Sequence, residues 1–222
     1  MANIDDGPAR LTPVAPPRRH AVPVIDKVHL EQPEKLSSSF VDALAARRSA
    51  EQFAEITLSD LSTWLYYLAS IQAVQVSDRN RQRRFVGSFG ALHPAHILLG
   101  MPDHDWFAYL PGEHSVGRLR VNVEAATELR TNAMEFYSAE SAIMVALLCD
   151  TDLVATYYSN ASELILRDAG VLLGHAALVA SAVGIAFRIL GTTGANSLER
   201  LVCDLPFSSR SVGLALVGGR LQ

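Results

Sequence analysis

The sequence predicts an α+β domain with a small central antiparallel or mixed sheet flanked by long helices, and three observations predict it. Residues 160–187 form an apolar run of helical length that carries no formal charge from Ala169 to Phe187. Two strand-length runs, 142–149 and 211–219, are continuously apolar rather than alternating, the pattern of strands buried on both faces. Ahead of these runs, capped helices and a hairpin turn succeed one another irregularly, as α+β chains do, and the whole chain shows no internal repeat.

In chain order, the segment 1–37 holds six of the ten prolines and cannot stay helical. The first twenty residues are expected to be disordered, and residues 22–30, VPVIDKVHL, to lie extended across a neighbouring surface. Ser38 or Ser39 then caps a helix through Phe40, Leu44 and Ala45 that ends near Arg47-Arg48-Ser49. Thr57 or Ser59 caps a second through Leu61, Leu65 and Leu68, and both helices read as core-facing. Gly87 to Pro94 is loop or helix cap and Ala95 to Leu99 a buried strand. Trp106–Tyr109 and Ser115–Leu119 form a hairpin about the Leu110-Pro111-Gly112-Glu113 turn. Residues 121–137 are helical, 142–149 is a buried strand, and 211–219 is its partner. The run 160–187 is apolar on every face, so it must be buried all round, in protein or in lipid. Its Ala and Gly content, and Glu163, Arg167 and Asp168 ahead of it, favour protein. A helix of that kind leaves a monomer with a large apolar patch, which predicts a homodimer.

A chain of 222 residues is one domain, here residues 38–222, with the N-terminal extension 1–37. Its formal net charge of −4 speaks against nucleic acid, although the basic cluster Arg79 to Arg84 remains a candidate site for a small anion. Cys149 and Cys203 lack the spacing of a disulfide framework or a zinc site, and the polar, proline-broken N-terminus lacks a signal-peptide core. Reduced thiols in the cytoplasm, and no membrane, are the expectation.

Most chemistry can be dismissed. His93 and His96 flank Pro94 and would point to opposite faces of a strand, so no metal site is predicted. There is no GxGxxG, Walker or GxSxG motif. Arg47-Arg48-Ser49 offers two guanidinium groups and a hydroxyl, either to a phosphate or to solvent at a helix C-terminus. Gly87-Ser88-Phe89-Gly90 presents free amides, either to a flat ligand or as an ordinary turn.

The order and spacing of these pieces resemble the nitroreductase superfamily of FMN-dependent oxidoreductases, and within it the SagB/McbC-type dehydrogenases. Residues 40–53, FVDALAARRSAEQF, resemble the opening helix and its RRSxRxF motif, and residues 84–94, RFVGSFGALHP, the R-x-PSGGALHP loop. Residues 106–119 resemble the glYxYdPxxHxL hairpin, and residues 157–185 the central helix, KYG…LLDAGHxxQNLxLAAxALGL. The resemblance covers nearly everything after Ser38. It implies a homodimer with FMN in two inter-subunit clefts. It further implies that Arg47, Arg48, Ser49 and the C-terminal Arg220 hold the phosphate and ribityl chain, with Arg47 making the buried contact, and that Ser88, Gly90 and Ala91 line the flavin. Tyr157 matches the tyrosine of a Lys-Tyr pair used near the substrate, and Thr156 stands where the lysine would be. Glu51, Gly87 and His175 also depart from the motifs, standing for arginine, proline and asparagine.

The function implied is oxidation of peptide thiazolines or oxazolines to azoles in a ribosomally made, modified peptide, with Tyr157 and Thr156 as the catalytic pair. A precursor peptide would be the substrate and a cyclodehydratase a partner. A flavin-less scaffold of a peptide-modifying complex, and a general NAD(P)H-dependent nitro or quinone reductase, stand as alternatives.

Overall fold

A computed structural model describes residues 10–11, 19–33, 35–78, 80–134, 137, 139–159 and 161–221. The elements in chain order are β1 (Lys27–His29), α1 (Phe40–Ala46), α2 (Leu58–Ala69), β2 (Ile71–Val74), β3 (Gln82–Arg84), β4 (Ala95–Gly100), β5 (Trp106–Leu110) and β6 (Ser115–Arg118). They continue with α3 (Val123–Met134), β7 (Ile143–Asp150), α4 (Thr151–Tyr157), α5 (Ser162–Val183), β8 (Ala186–Ile189), α6 (Ala195–Leu201) and β9 (Ser209–Gly218). Seven strands form one antiparallel sheet in the order β1-β6-β5-β4-β7-β9-β8, larger than the sequence suggested, while β2 and β3 pair as a separate hairpin.

The sheet is covered on both faces. Ile143, Val145, Leu147 and Cys149 of β7 pack into the layer holding Trp64, Leu65, Leu172 and Val179 of α2 and α5. The intervening Met144, Ala146 and Leu148 pack against Ala126, Leu129, Leu198 and Leu201 of α3 and α6. Alternate side chains of one strand therefore serve two cores, which is why its sequence shows no alternation. The partnership of 142–149 with 211–219 and the 106–119 hairpin are both present.

Ser39 and Thr57 accept the amides of Asp42 and Asp60, both at 3.1 Å, and so start α1 and α2. Beyond that the two helices differ from the expectation. Helix α2 is core-facing, with Trp64 fully buried and its indole N–H donating to the Ala176 carbonyl at 3.1 Å. Helix α1 is not: only Ala43 is buried, and Phe40 and Val41 are 69% and 71% exposed. The run 160–187 is likewise not one buried helix. Gly184, at φ 88°, ends α5 in the left-handed conformation, and the chain turns into β8. Helix α5 is long and apolar enough to cross a membrane, yet Ile165, Ala169, Leu172, Ala176 and Val179 face the core. Its Leu166, Gly170, Val171 and Gly174 are uncovered, and α1 also packs on this helix.

The N-terminal segment is an arm. Val22 and Leu30 are buried, β1 extends the sheet along β6, and the Ile25 amide donates to the Arg118 carbonyl at 2.9 Å. Residues 1–9 and 12–18 lie outside the described residues. Disorder through residue 20 is nevertheless overturned at its described positions. Arg10 bridges Tyr158, the Leu11 amide donates to the Tyr157 carbonyl at 2.7 Å, and Arg19 and His20 are half-buried.

Because Trp64 fills the centre of the α2–α5 layer, Trp64→Ala should lower unfolding free energy by about 3–5 kcal/mol in urea melts. Val76→Ala, at a side chain 96% exposed, should change it by less than about 0.5 kcal/mol.

Candidate functional site

Two clefts take in Ser88, Ala91, Arg48 and Arg220 from the residues singled out above. The first, about 450 Å³, lies between the β2–β3 hairpin and the loop 86–93, with Arg81, Arg84, Ser88, Ala91 and His93 in its lining. This loop is wound tightly, with positive φ at Gly90 (55°), Ala91 (57°) and His93 (45°). Only the first of these is conformationally easy, so the surroundings must hold the other two. The Ser88 hydroxyl accepts the His93 amide at 2.8 Å and donates to Asp168, whose carboxylate also accepts the Phe89 amide at 3.2 Å. Burial raises the Asp168 carboxyl above the ordinary carboxylate range, and these two hydrogen bonds oppose it. Arg81 donates to the Gly90 carbonyl, and the Arg19 guanidinium of the arm donates to the carbonyls of Leu92 and His93. The loop is thus held from helix, hairpin and arm together.

The second cleft, about 420 Å³, lies where the end of α1, the start of β8 and the end of β9 meet. Arg48 and Arg220 both line it, with Glu51. One Arg48 nitrogen donates to the Ala45 and Arg47 carbonyls at 2.8 and 2.9 Å, which leaves the rest of the fork to a ligand. Arg220 Nε donates to the Ile185 carbonyl at 3.4 Å. Arg47 and Ser49 are exposed next to this cleft in sequence but are not among its lining residues.

The two clefts stand at opposite ends of the sheet. The loop leads into β4, whose Ala95 pairs with Cys149, which pairs with Arg210 at the start of β9, whereas Ala186 pairs with Gly218 at its end. That stretch of strand measures roughly 27 Å. One chain therefore does not bring Ser88, Gly90 and Ala91 to Arg48 and Arg220.

Tyr157 and Thr156 sit at the end of α4. The Tyr157 side chain is 1% exposed; its phenol donates to the Asp78 carboxylate at 2.8 Å and accepts from Asn80 Nδ2 at 3.0 Å. Burial raises its pKa above the ordinary phenol value, opposed by the Asn80 hydrogen bond and reinforced by Asp78. Thr156 donates to the Asp152 carbonyl at 2.9 Å within the helix, so its hydroxyl is engaged locally. Tyr158 is the residue that reaches the loop, its ring edge-on to Phe89 at 5.5 Å. A Cβ on Gly90 would lie 2.5 Å from the Tyr158 hydroxyl and 2.8 Å from Arg81 Nη1, so glycine there lets a phenol and a cation meet at the loop backbone. Sequence reasoning missed Arg81 as the neighbour of Tyr158. The one available signal was the density of arginines from 79 to 84.

His93 and His96 do not converge. His93 Nε2 contacts the Gln82 carbonyl at 3.0 Å, and His96 stacks on Phe207 with centroids 5.1 Å apart. Among the described residues no group of three or more His, Cys, Asp or Glu side chains is arranged to hold a metal ion.

The chain has a nitroreductase-like fold. A candidate nitroreductase from Ralstonia eutropha JMP134 superposes with a TM-score of 0.69 at 18% identity, over 97% of this chain and 99% of that one. A chain of the Escherichia coli microcin synthetase McbBCD complex, solved with a truncated pro-MccB17 bound, gives 0.65 at 14% identity, over 80% and 70%. A candidate nitroreductase from Anabaena variabilis gives 0.66 at 16% identity, over 88% of this chain and 42% of that one. No protein-family model matches the sequence, and no curated protein does.

Burial, and then the nearby charge of Arg84 for His93 and of Arg19 for His96, pushes both histidines down to about 3. Folded values below the ordinary 6.5 mean that the unfolded chain takes up protons first as pH falls. Their stabilising contribution is therefore full above pH 6.5 and is lost as pH falls toward 3. Melting temperature should fall steadily across that window, and His96→Gln should make the slope shallower.

Proposed function

We propose that the protein is a homodimeric FMN-dependent oxidoreductase that oxidises thiazolines or oxazolines of a ribosomally made peptide to azoles. The observation that carries the reading is the convergence of Arg48 and Arg220, far apart in sequence, in one cleft of a nitroreductase-like fold. Two guanidinium groups with free N–H donors suit a phosphate; Glu51 is the one carboxylate in that lining. The strained Ser88–Ala91 loop, prearranged by Asp168, suits the edge of a flat ring. Since these halves lie at opposite ends of one sheet, a second copy must bring its loop to the arginines. The exposed Phe40, Val41, Leu44, Leu166 and Val171 of α1 and α5 supply an apolar face for it.

Aromatising an azoline removes a hydride and a proton from the ring, and bound FMN would supply the hydride acceptor. The proton falls to this chain's own residues. Tyr157 has its phenol closed between Asp78 and Asn80, so it positions the β2–β3 hairpin against α4. Tyr158 takes the proton. Arg81 lies beside its hydroxyl at Gly90 and supplies the cation that a lysine at position 156 would have given. The type of substrate rests on the motifs around residues 84–94, 106–119 and 157–185 and on the likeness to a chain of the McbBCD complex. A cyclodehydratase would form the azoline on the precursor peptide.

The purified protein should show flavin absorbance and sediment as a dimer. Arg48→Ala and Arg220→Ala should each weaken FMN retention by about tenfold or more, and Arg47→Ala less. Leu166→Glu with Val171→Glu should give monomers that have also lost flavin. A dimer that binds no FMN would instead be the scaffold. Reduction of quinones with NAD(P)H but no turnover of a thiazoline peptide would indicate the general reductase.

In single-turnover flavin reduction by a thiazoline peptide, Tyr158→Phe should slow the reaction by about 10²–10⁴-fold with FMN retained. Tyr157→Phe should chiefly lower stability, by about 1–3 kcal/mol, because it leaves Asp78 short of a donor. Equal rates in Tyr158→Phe and wild type would remove the assignment.

A further inference from the structure

Arg19 belongs to the N-terminal arm, yet its guanidinium acts on both walls of the first cleft. One nitrogen donates to the Leu92 carbonyl at 2.6 Å and to the Asn80 carbonyl at 3.2 Å, and another donates to the His93 carbonyl. Leu92 and His93 end the loop, while Asn80 lies just before β3, so a single side chain joins loop and hairpin. Among the described residues it is the one donor to the Leu92 and His93 carbonyls. These carbonyls adjoin the positive φ angles of Ala91 and His93, a conformation that persists only when partners outside the loop hold it. The arm supplies a fixed partner. His20 Nδ1 meets the Asp150 carboxylate at 2.9 Å, Val22 is buried, and the Ile25 amide bonds to the Arg118 carbonyl at 2.9 Å. Asp150 in turn accepts the Leu153 amide at 2.8 Å and caps α4, the helix that leads to Tyr158. Two consecutive arm residues therefore reach loop, hairpin and α4. Burial pushes the Arg19 guanidinium down to about 10, opposed by the charge of Asp150, so it is still a cation at neutral pH. A cation drawn this far inside is unfavourable unless its donors are used, and here they are.

We propose that Arg19 is a positioning residue of the candidate site: it sets the spacing between the loop and the β2–β3 hairpin, and the loop's hold on flavin depends on it. Arginine suits the task because its planar fork donates in several directions at once, whereas a lysine ammonium would meet fewer of the three carbonyls. Two further ties join the same walls, His93 Nε2 with the Gln82 carbonyl at 3.0 Å and Arg81 with the Gly90 carbonyl. Loss of Arg19 therefore loosens the loop without unfolding the domain. With the Leu92 and His93 carbonyls released, Ala91 and His93 can leave the left-handed region, and Ser88 and Ala91 lose their placement. The flavin part of this inference rests on the function proposed above; the loop part stands on geometry alone.

The test is amide hydrogen exchange of the full chain without flavin, followed by FMN titration of the same proteins. Arg19→Met, which keeps the stem, should speed exchange of the Ala91, Leu92 and His93 amides by about tenfold with β7 unchanged, and should weaken FMN binding by about tenfold. Arg19→Lys should show about threefold effects, and it decides the matter if Arg19→Met does not fold. Methylguanidinium should restore loop protection and FMN affinity to Arg19→Ala, and methylammonium should not. Val22→Ala, which loosens the arm at its apolar anchor without touching the loop, should change both readings by less than about twofold. Unchanged loop exchange in Arg19→Met, an equal gain in Val22→Ala, or flavin held as tightly by Arg19→Met as by wild type would each overturn the proposal. A wild-type protein that binds no FMN would overturn the function proposed above, and the exchange comparison would still decide whether Arg19 positions the loop.

Discussion

The arrangement of this molecule follows from β7 having no solvent face. All eight residues of Ile143–Asp150 are buried, so every polar group of that strand's backbone must be met by β4 and β9, and every side chain by one of two helical layers. The α2–α5 layer covers one face and the α3–α6 layer the other. Once the strand is fixed in this way, its two ends become the places where loops gather. The Ser88–His93 loop, α4 and the β2–β3 hairpin collect at one end, and the tail of α1 and Arg220 at the other. The separation of the clefts is a consequence of the strand's length.

The same construction explains what is left uncovered. Helix α5 uses one side for the core and turns Leu166, Gly170, Val171 and Gly174 outward, where α1 adds Phe40, Val41 and Leu44. A second chain is the occupant that would both bury these residues and deliver the loop from one end of a sheet to the arginines at the other. In the proposed dimer, assembly and site completion are one requirement, and a substitution on the outward face of α5 would disturb the proposed chemistry without touching it.

Legibility in the sequence followed periodicity. The strands β4, β5, β6, β7 and β9 could be read because their apolar runs are bounded by turns, and α1 and α2 because Ser39 and Thr57 cap them. The outward face of α1 was misread as core-facing because an amphipathic pattern does not say whether its apolar side meets its own chain or another. Gly184 was lost inside an apolar run whose composition does not change where helix becomes strand. At the site, Arg48, Arg220, Ser88 and Ala91 were named through motif resemblance, and the geometry divides them between two clefts. Asp78 and Asn80, the partners of Tyr157, sit in what reads only as a polar break; their role depends on a hairpin folding back onto α4, a contact between residues distant in sequence.

The arm shows how far composition can mislead. A proline-rich segment with several arginines reads as solvated, yet Arg19 is drawn in beneath the loop because the left-handed turns at Ala91 and His93 leave carbonyls of Leu92 and His93 facing inward, away from any strand partner. Their donor has to come from outside the loop, and a guanidinium can meet several carbonyls at once. Its charge is then carried into the interior beside Arg84, which it repels and which the Asp168 carboxylate under the same loop helps to offset. The strain that shapes the candidate loop and the crowded cations behind it are therefore linked through one side chain of the arm.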